Sequence, residues 1–376
     1  MTRSTALTVV REPEPKEAPV VAGDNQLEVE LPLLLDMLEY KRPAWSRAEK
    51  RFIARFIRPL GAEPDQSGNY WVVIPKLDGE PSQVMWSSHT DTVHYDGGVQ
   101  RIVLDRDTNV ITQVGSNCLG ADCTTGVWLM RQMIIAKVPG TYIFHRAEEV
   151  GGRGSSAIVA RKDPRLGGLL YAIAFDRKGF NEVITHQSGL RCASQAFADS
   201  IIPMLPGAYK ASDGGSFTDT ANYSDIIPEC ANLSVGYLDQ HSKSESQSLV
   251  HAAHLALRLM RFDEGGLVAA RNPDEIDYAE SYSSSMSRWN EQGLKTWDSW
   301  NGDPATYFDE DEADRRKYEA RAYEVGKADR AYDRGYEPRS VYDVVRDYPR
   351  HVADYLEHCG YDAEQLMQEM GWPSIH

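Results

Sequence analysis

The apolar positions change period along the chain, and the changes mark out its elements. Leu31, Leu34, Leu35 and Leu38 fall on one face of a 3.6-residue period, which predicts a helix. A second helix is predicted over "SRAEKRFIARFIRPLG". Ser46 and Glu49 have capping-box spacing, Phe52, Ile53, Phe56 and Ile57 form an apolar stripe, and Gly61 marks the stop. Short apolar runs with strand character follow: "YWVVIP" (70–75), "QVMWSS" (83–88), "TYIFH" (141–145), "LLYAIAF" (169–175) and "NLSVGY" (232–237). Helical patterns lie between several of them, notably "GVWLMRQMIIAKV" (126–138) and "SLVHAAHLALRLM" (248–260). Strands alternating with helices predict an α/β fold, a three-layer sandwich around a largely parallel mixed sheet. In such sheets ligands bind beyond the carboxyl ends of the strands.

The flanks read differently. Residues 1–26 are rich in Pro, Glu, Ala and Val without periodicity, and a disordered leader is expected there. The α/β domain is expected over 27–266. Residues 267–310 hold Ser, Trp and Tyr in no clear period, as a linker or irregular arm would. Helical patterns return over 311–376, including "SVYDVVRDY" and "DAEQLMQEM", and predict a small helical C-terminal module.

Composition narrows the class of function. A chain of 376 residues with 41% hydrophobic content can fill a sizeable core. The net charge of −16 repels phosphate backbones and anionic lipid, and no Lys/Arg stripe is interleaved with aromatics, so neither nucleic acid nor a membrane is expected as a partner. The absence of a long apolar run or a signal-like start reads as a cytoplasmic protein. Five cysteines, an odd and sparse set, fit reduced thiols better than a disulfide framework.

Five donors of the kind that bind metal fall where strands end or helices start. His89 follows the run at 83–88, and Asp91 lies two residues on, placed to orient an imidazole. Asp122 sits among small residues before a helix; a cap is the ordinary role of a lone Asp there, but Gly120, Ala121 and Gly126 leave room for close approach to an ion. Glu148 and Glu149 follow "TYIF" and precede Gly151 and Gly152, and neighbouring carboxylates repel unless solvated or neutralised by a cation. Asp176 closes an almost wholly apolar run, and His241 follows "NLSVGY". Each signal alone has an ordinary explanation in a turn or a solvated loop. Together, two histidines and three carboxylates along one sheet edge suit a pair of divalent ions, because mixed nitrogen and oxygen ligation is what zinc, cobalt or manganese accept. Cys118 and Cys123 lack a second cysteine pair to complete a structural zinc site.

At this point the chain resembles the co-catalytic di-metal exopeptidases, a superfamily of aminopeptidases, tripeptidases, carboxypeptidases and N-acyl-amino-acid deacylases. The matching pieces are "HTD" (89–91), "GAD" (120–122), "AEEVGGRGS" (147–155), "FDRKG" (175–179) and "DQHSKSES" (239–246), in the family's order and spanning roughly residues 30–262. The resemblance implies two divalent ions, zinc first, with cobalt or manganese as alternatives. It makes Asp122 the bridging ligand, His89 and Asp176 ligands of one ion, and Glu149 and His241 ligands of the other. It makes Asp91 the orienter of His89 and Glu148 the general base. "GGSFTDTANYSD" (214–225), with Asp219, resembles the family's substrate-side loop.

Two departures stand out. Many relatives have an acidic or amide residue joined by a cis peptide after the bridging Asp, where this chain has Cys123. Some carry a lid domain between the last two ligands, whereas Asp176 and His241 lie close enough in sequence to imply a lidless catalytic domain. The implied activity is hydrolysis of a peptide or amide bond through a water activated by the metals. An aminopeptidase acting on a small peptide is favoured over a deacylase or carboxypeptidase acting on an acylated amino acid or a chain's carboxyl end. Arg153, Arg177 and Lys178 are the cations that the second class would use. A non-catalytic scaffold that kept the fold is the reading from another class, and a homo-oligomer built through the tail is compatible with all three.

Overall fold

The structure, a computed structural model, describes residues 29–275. The expected leader and the C-terminal module over 311–376 lie outside the described residues, as does most of the linker. Residues 267–271, assigned from sequence to that linker, stay attached to the folded unit. Arg271 Nε donates to Pro228 O (2.6 Å), and the Ala270 and Arg271 amides donate to Glu229 Oε1 at 2.7 and 2.9 Å.

Eight strands make the main sheet: β1 (Glu63–Pro64), β2 (Tyr70–Ile74), β3 (Val84–His89), β4 (Gly140–His145), β5 (Tyr171–Arg177), β6 (Glu182–Ile184), β7 (Lys210–Ser212) and β8 (Glu229–Ser234). Their order is β7-β6-β8-β5-β3-β4-β2-β1. The central four, β8, β5, β3 and β4, are mutually parallel; β6 and β2 flank them antiparallel. Every residue of β3, β4 and β8 is buried, which is why these strands read as continuous runs: a parallel strand covered on both faces has no solvent side to alternate with.

The two faces carry two cores, and the strand period of two separates them. Val84 and Trp86, Tyr142 and Phe144, and Tyr171, Ile173 and Phe175 point into the larger core, with Trp86 stacked on Phe175 at 5.6 Å. Helices α1 (Leu31–Leu38), α2 (Arg47–Phe52), α3 (Ala121–Ile135), α5 (Gln195–Ile201) and α6 (Leu249–Leu259) contribute their apolar faces to it. Met85, Ile143 and Ala172 point the other way, against Ile158 of α4 (Arg153–Ala160) and the turns carrying Leu166, Tyr223 and Ile227. This is the three-layer α/β sandwich expected from the sequence. A second, four-stranded sheet pairs the hairpin Arg101–Asp105/Val110–Val114 with Ser246–Ser248 and Tyr237–Leu238.

Three local expectations are revised. Only half of the capping box forms: Ser46 Oγ accepts the Glu49 amide at 3.1 Å, but the Glu49 carboxylate is fully buried and serves Arg146, Thr90 and the Trp45 amide. The run at 232–237 splits, β8 ending at Ser234 and the chain crossing to the second sheet at Tyr237. The space at Gly126 is not room for an ion. A Cβ there would lie 2.4 Å from Phe175 O and 2.5 Å from Ser88 Oγ, so the glycine lets α3 lie directly on β3 and β5. Gly126→Ala is therefore expected to lose about 1–3 kcal/mol to overpacking despite alanine's better helix propensity, read as a lower urea midpoint; a stabilised variant would contradict it.

Candidate metal centre

The parallel strands end on one edge, and the residues singled out from sequence gather there. His89 is the last residue of β3, and Asp176 sits near the end of its neighbour β5. Glu148 and Glu149 follow β4 on the other side of β3. Asp122 lies in the first turn of α3, with non-helical backbone and a cis peptide to Cys123, so the cis bond is present with cysteine in that place. His241 comes from the loop between Tyr237–Leu238 and Ser246–Ser248, in the left-handed region at φ 62°.

The Asp122 carboxylate faces two ways. Its Oδ1 is 3.1 Å from His89 Nε2, which is also 3.4 Å from Asp176 Oδ1. Its Oδ2 is 3.1 Å from His241 Nε2, which is also 3.2 Å from Glu149 Oε1. Two donor triads thus share one carboxylate, and Glu148 Oε2 stands beside them, 4.0 Å from His89 Nε2.

Asp91 lies beyond the end of β3, so the same-strand-face argument for its position does not hold. It nevertheless reaches His89: the imidazole Nδ1 is 3.1 Å from the Asp91 carbonyl and 3.5 Å from its carboxylate. The carboxylate does more than orient the ring, since Oδ1 accepts the Glu148 amide (3.1 Å) and Oδ2 the Glu149 amide (3.2 Å). One buried side chain therefore fixes both glutamates relative to His89.

Four carboxylates and the His89 imidazole, crowded away from water, and His241, whose side chain is 47% exposed, set up opposed shifts. Burial, with Asp176 and Glu149 nearby, pushes Glu148 well above the ordinary carboxylate range, and burial with Asp122 does the same to Asp176. Asp122 is also buried, but the hydrogen bonds from His241 and His89 hold it well below its usual value. Glu149 leads in raising His241 to about 12, although burial opposes that charge. Glu149 Oε1 is buried near the His241 ring without an aligned hydrogen bond. Two imidazole nitrogens each between two carboxylates, with Glu149 Oε1 buried and unpartnered, are the mixed nitrogen and oxygen donors that a divalent cation accepts, so the donor set fits metal. Donor atoms within 4.8 Å of one another also include Cys123 with His89 and Asp176. The Cys123 thiol donates to Phe175 O at 3.1 Å, and burial pushes its pKa up.

Supporting contacts appear that the sequence reading did not single out. Asn232 brackets Asp176, accepting its amide (2.9 Å) and donating to its carbonyl (2.8 Å), and Thr218 Oγ1 donates to Asp176 Oδ2 at 2.5 Å. Asp219, placed by sequence in a substrate-side loop, is buried. Ser155 Oγ donates to it at 2.5 Å, and His145, itself 2.7 Å from the Tyr223 hydroxyl, lies 3.4 Å away. Phe217, two residues before Asp219, is 38% exposed with its ring over Gly152, so the loop's aromatic is in reach of solvent and its acid is not. Single polar residues at such spacings carry no periodic signal, and only the folded chain brings them together.

Comparison with solved structures meets this geometry. The aminopeptidase PepT from Bacillus cereus superposes with a TM-score of 0.51 at 14% identity, over 62% of this chain and 98% of that one. A tripeptidase from Staphylococcus aureus gives a TM-score of 0.51 at 12% identity, over 61% and 95%. The chain has the fold of these peptidases. No protein-family model matches the sequence, and no curated protein matches it. The peptidase fold thus stands on architecture, and the site on the residues that this architecture gathers. No helix among the described residues is long and apolar enough to cross a membrane.

Proposed function

We propose that this protein is a metal-dependent exopeptidase, an aminopeptidase acting on short peptides, with His89, Asp122 and Asp176 holding one divalent ion and Asp122, Glu149 and His241 the other. The observation that carries the reading is the division of the Asp122 oxygens between two triads with Glu148 outside both. Bound there, two divalent ions, zinc first, would supply Lewis acidity and lower the pKa of a water towards neutrality. Glu148 takes a proton from the attacking water as the water oxygen bonds to the scissile carbonyl carbon, and delivers it to the leaving nitrogen as the C–N bond breaks, so that a carboxylic acid and an amine are released. Burial supports this task, because a carboxylate with a raised pKa holds a proton long enough to pass it on. Asp91 keeps Glu148 and Glu149 in place through their amides.

The charge around the site favours a free amine over a free carboxylate as the substrate's recognised end. A deacylase or carboxypeptidase needs a cation at the cleft. Arg177 is spent on Glu182 at 2.8 Å, Arg153 lies over Trp45 with its Nε donating to Val150 O, and Lys178, exposed, is the one of the three left to such a class. Matched free and N-acetylated peptides, offered with Zn²⁺, Co²⁺ or Mn²⁺ and followed by mass spectrometry, test this. Loss of N-terminal residues from the free peptides alone is expected; acetate or C-terminal residues among the products would move the assignment to the deacylase or carboxypeptidase class.

A further inference from the structure

Glu245 is 1% exposed, lies four residues after His241, and points its carboxylate at the start of α3. Oε2 accepts the amides of Leu119 and Gly120, both at 3.0 Å, and Oε1 accepts those of Ala121 at 2.8 Å and Asp122 at 3.3 Å. Four consecutive donors on one carboxylate exceed what capping a helix requires, and two of them precede the helix. The gripped stretch ends on the residue whose side chain is shared by both triads. Two residues further, Gln247 Oε1 accepts Thr125 Oγ1 at 2.6 Å, so the segment that follows His241 is stitched to the first turns of α3 at two points.

The ligands on the His241 side come from three separate pieces of chain: the Asp122 turn, the Glu149 turn and the His241 loop. Asp91 fixes the Glu149 turn, Cys123 Sγ ties the Asp122 turn to β5, and Gln113 Nε2 holds the His241 loop at Lys243 O; among the described residues, the hydrogen bonds that join the Asp122 turn directly to the segment after His241 are those of Glu245 and Gln247. We propose that Glu245 is the positioning residue that does so, setting the Asp122 backbone in register with the His241 loop and thereby forming the His241-side ion site. This inference rests on the two-ion reading above. It predicts an asymmetry: when the clamp is loosened the His89 side keeps two of its three donors, His89 and Asp176, on neighbouring strands of the sheet, whereas the His241 side loses the register between Asp122 and His241 that it is built on.

The test is Co²⁺ titration of the chelator-stripped full chain, followed by the visible absorption of the bound ion, for the wild type, Glu245→Gln and Glu245→Asp. Gln keeps the volume but offers one acceptor oxygen and turns an NH₂ towards amide donors; Asp keeps the charge on a shorter stem. Wild type is expected to take up two equivalents. Glu245→Gln should weaken one of them by about 10–100-fold and leave the other within a few-fold, with Glu245→Asp in between. Two equivalents bound by Glu245→Gln as in wild type would overturn the proposal. So would equal weakening of both ions with a lowered thermal midpoint, the mark of a clamp on the fold at large. If Glu245→Gln does not fold, Glu245→Asp decides on the same readouts. A wild type that binds no Co²⁺ overturns the two-ion reading itself, and this inference with it.

Discussion

Glu148→Gln is expected to lower kcat/KM for peptide hydrolysis by about 10²–10⁴-fold while metal content stays at the wild-type value. The amide has the shape of the carboxylate, and the backbone amide of residue 148 keeps its bond to Asp91, so the site's geometry is retained. What is lost is the ability to accept a proton. Glu148 is also a member of neither donor triad, so its replacement removes no ligand. Steady-state kinetics together with elemental analysis of the purified variant check both halves. A variant within a few-fold of wild type would remove Glu148 from the proton transfer, and one that had lost metal would make it a ligand.

Asp122→Ala should have the larger effect, because one carboxylate serves both triads. Each imidazole loses its partner at 3.1 Å, and neither site retains more than two of its protein donors. Both ions should be lost on gel filtration and turnover should fall below detection, a drop of at least about 10³-fold given what a bound ion contributes to water activation and to charge in the transition state. The fold should survive, since the Asp122 side chain faces site groups rather than the core. Circular dichroism of the variant tests that, and retention of one full equivalent of metal would show that Asp122 is not shared.

Much of this site was legible in the sequence because the chemistry sits at element ends that hydrophobic runs announce. The buried parallel strands β3, β4 and β5 read as unbroken apolar stretches, and His89, the Glu148–Glu149 pair and Asp176 each stand where such a stretch stops. Asp122 and His241 gave weaker signals, a place before a helix and a place after an apolar run, and took their roles from motif resemblance; nothing in local periodicity distinguishes Asp122 from a cap, and His241 sits in a loop. The assignment of space around Gly126 failed for a related reason. A glycine in sequence announces a close approach but not what approaches, and here it is the sheet.

What stayed illegible is of one kind. Glu49 carries the spacing of a capping box, yet burial against Arg146 recruits its carboxylate to a partner 97 residues away. Glu245 reaches amides more than 120 positions upstream, Asn232 brackets Asp176 across a strand pair, and Asp219 accepts Ser155 Oγ from 64 positions upstream. These are long-range polar contacts between single residues, and no repeat or spacing encodes them. The hairpin over Arg101–Val114 is a milder case: its outer strand is exposed or half-buried throughout, so its apolar alternation is weak, and its turn relies on Asn109 at φ 55°.

The central claim is that two ions, held in triads that share Asp122, make this chain a hydrolase. Chelator-stripped protein, assayed for release of the N-terminal residue of a short peptide as Zn²⁺ is restored in counted equivalents, tests it most directly. The account predicts no turnover in the stripped protein and a rise that is complete at two equivalents. Undiminished turnover with residual metal far below one equivalent would contradict it.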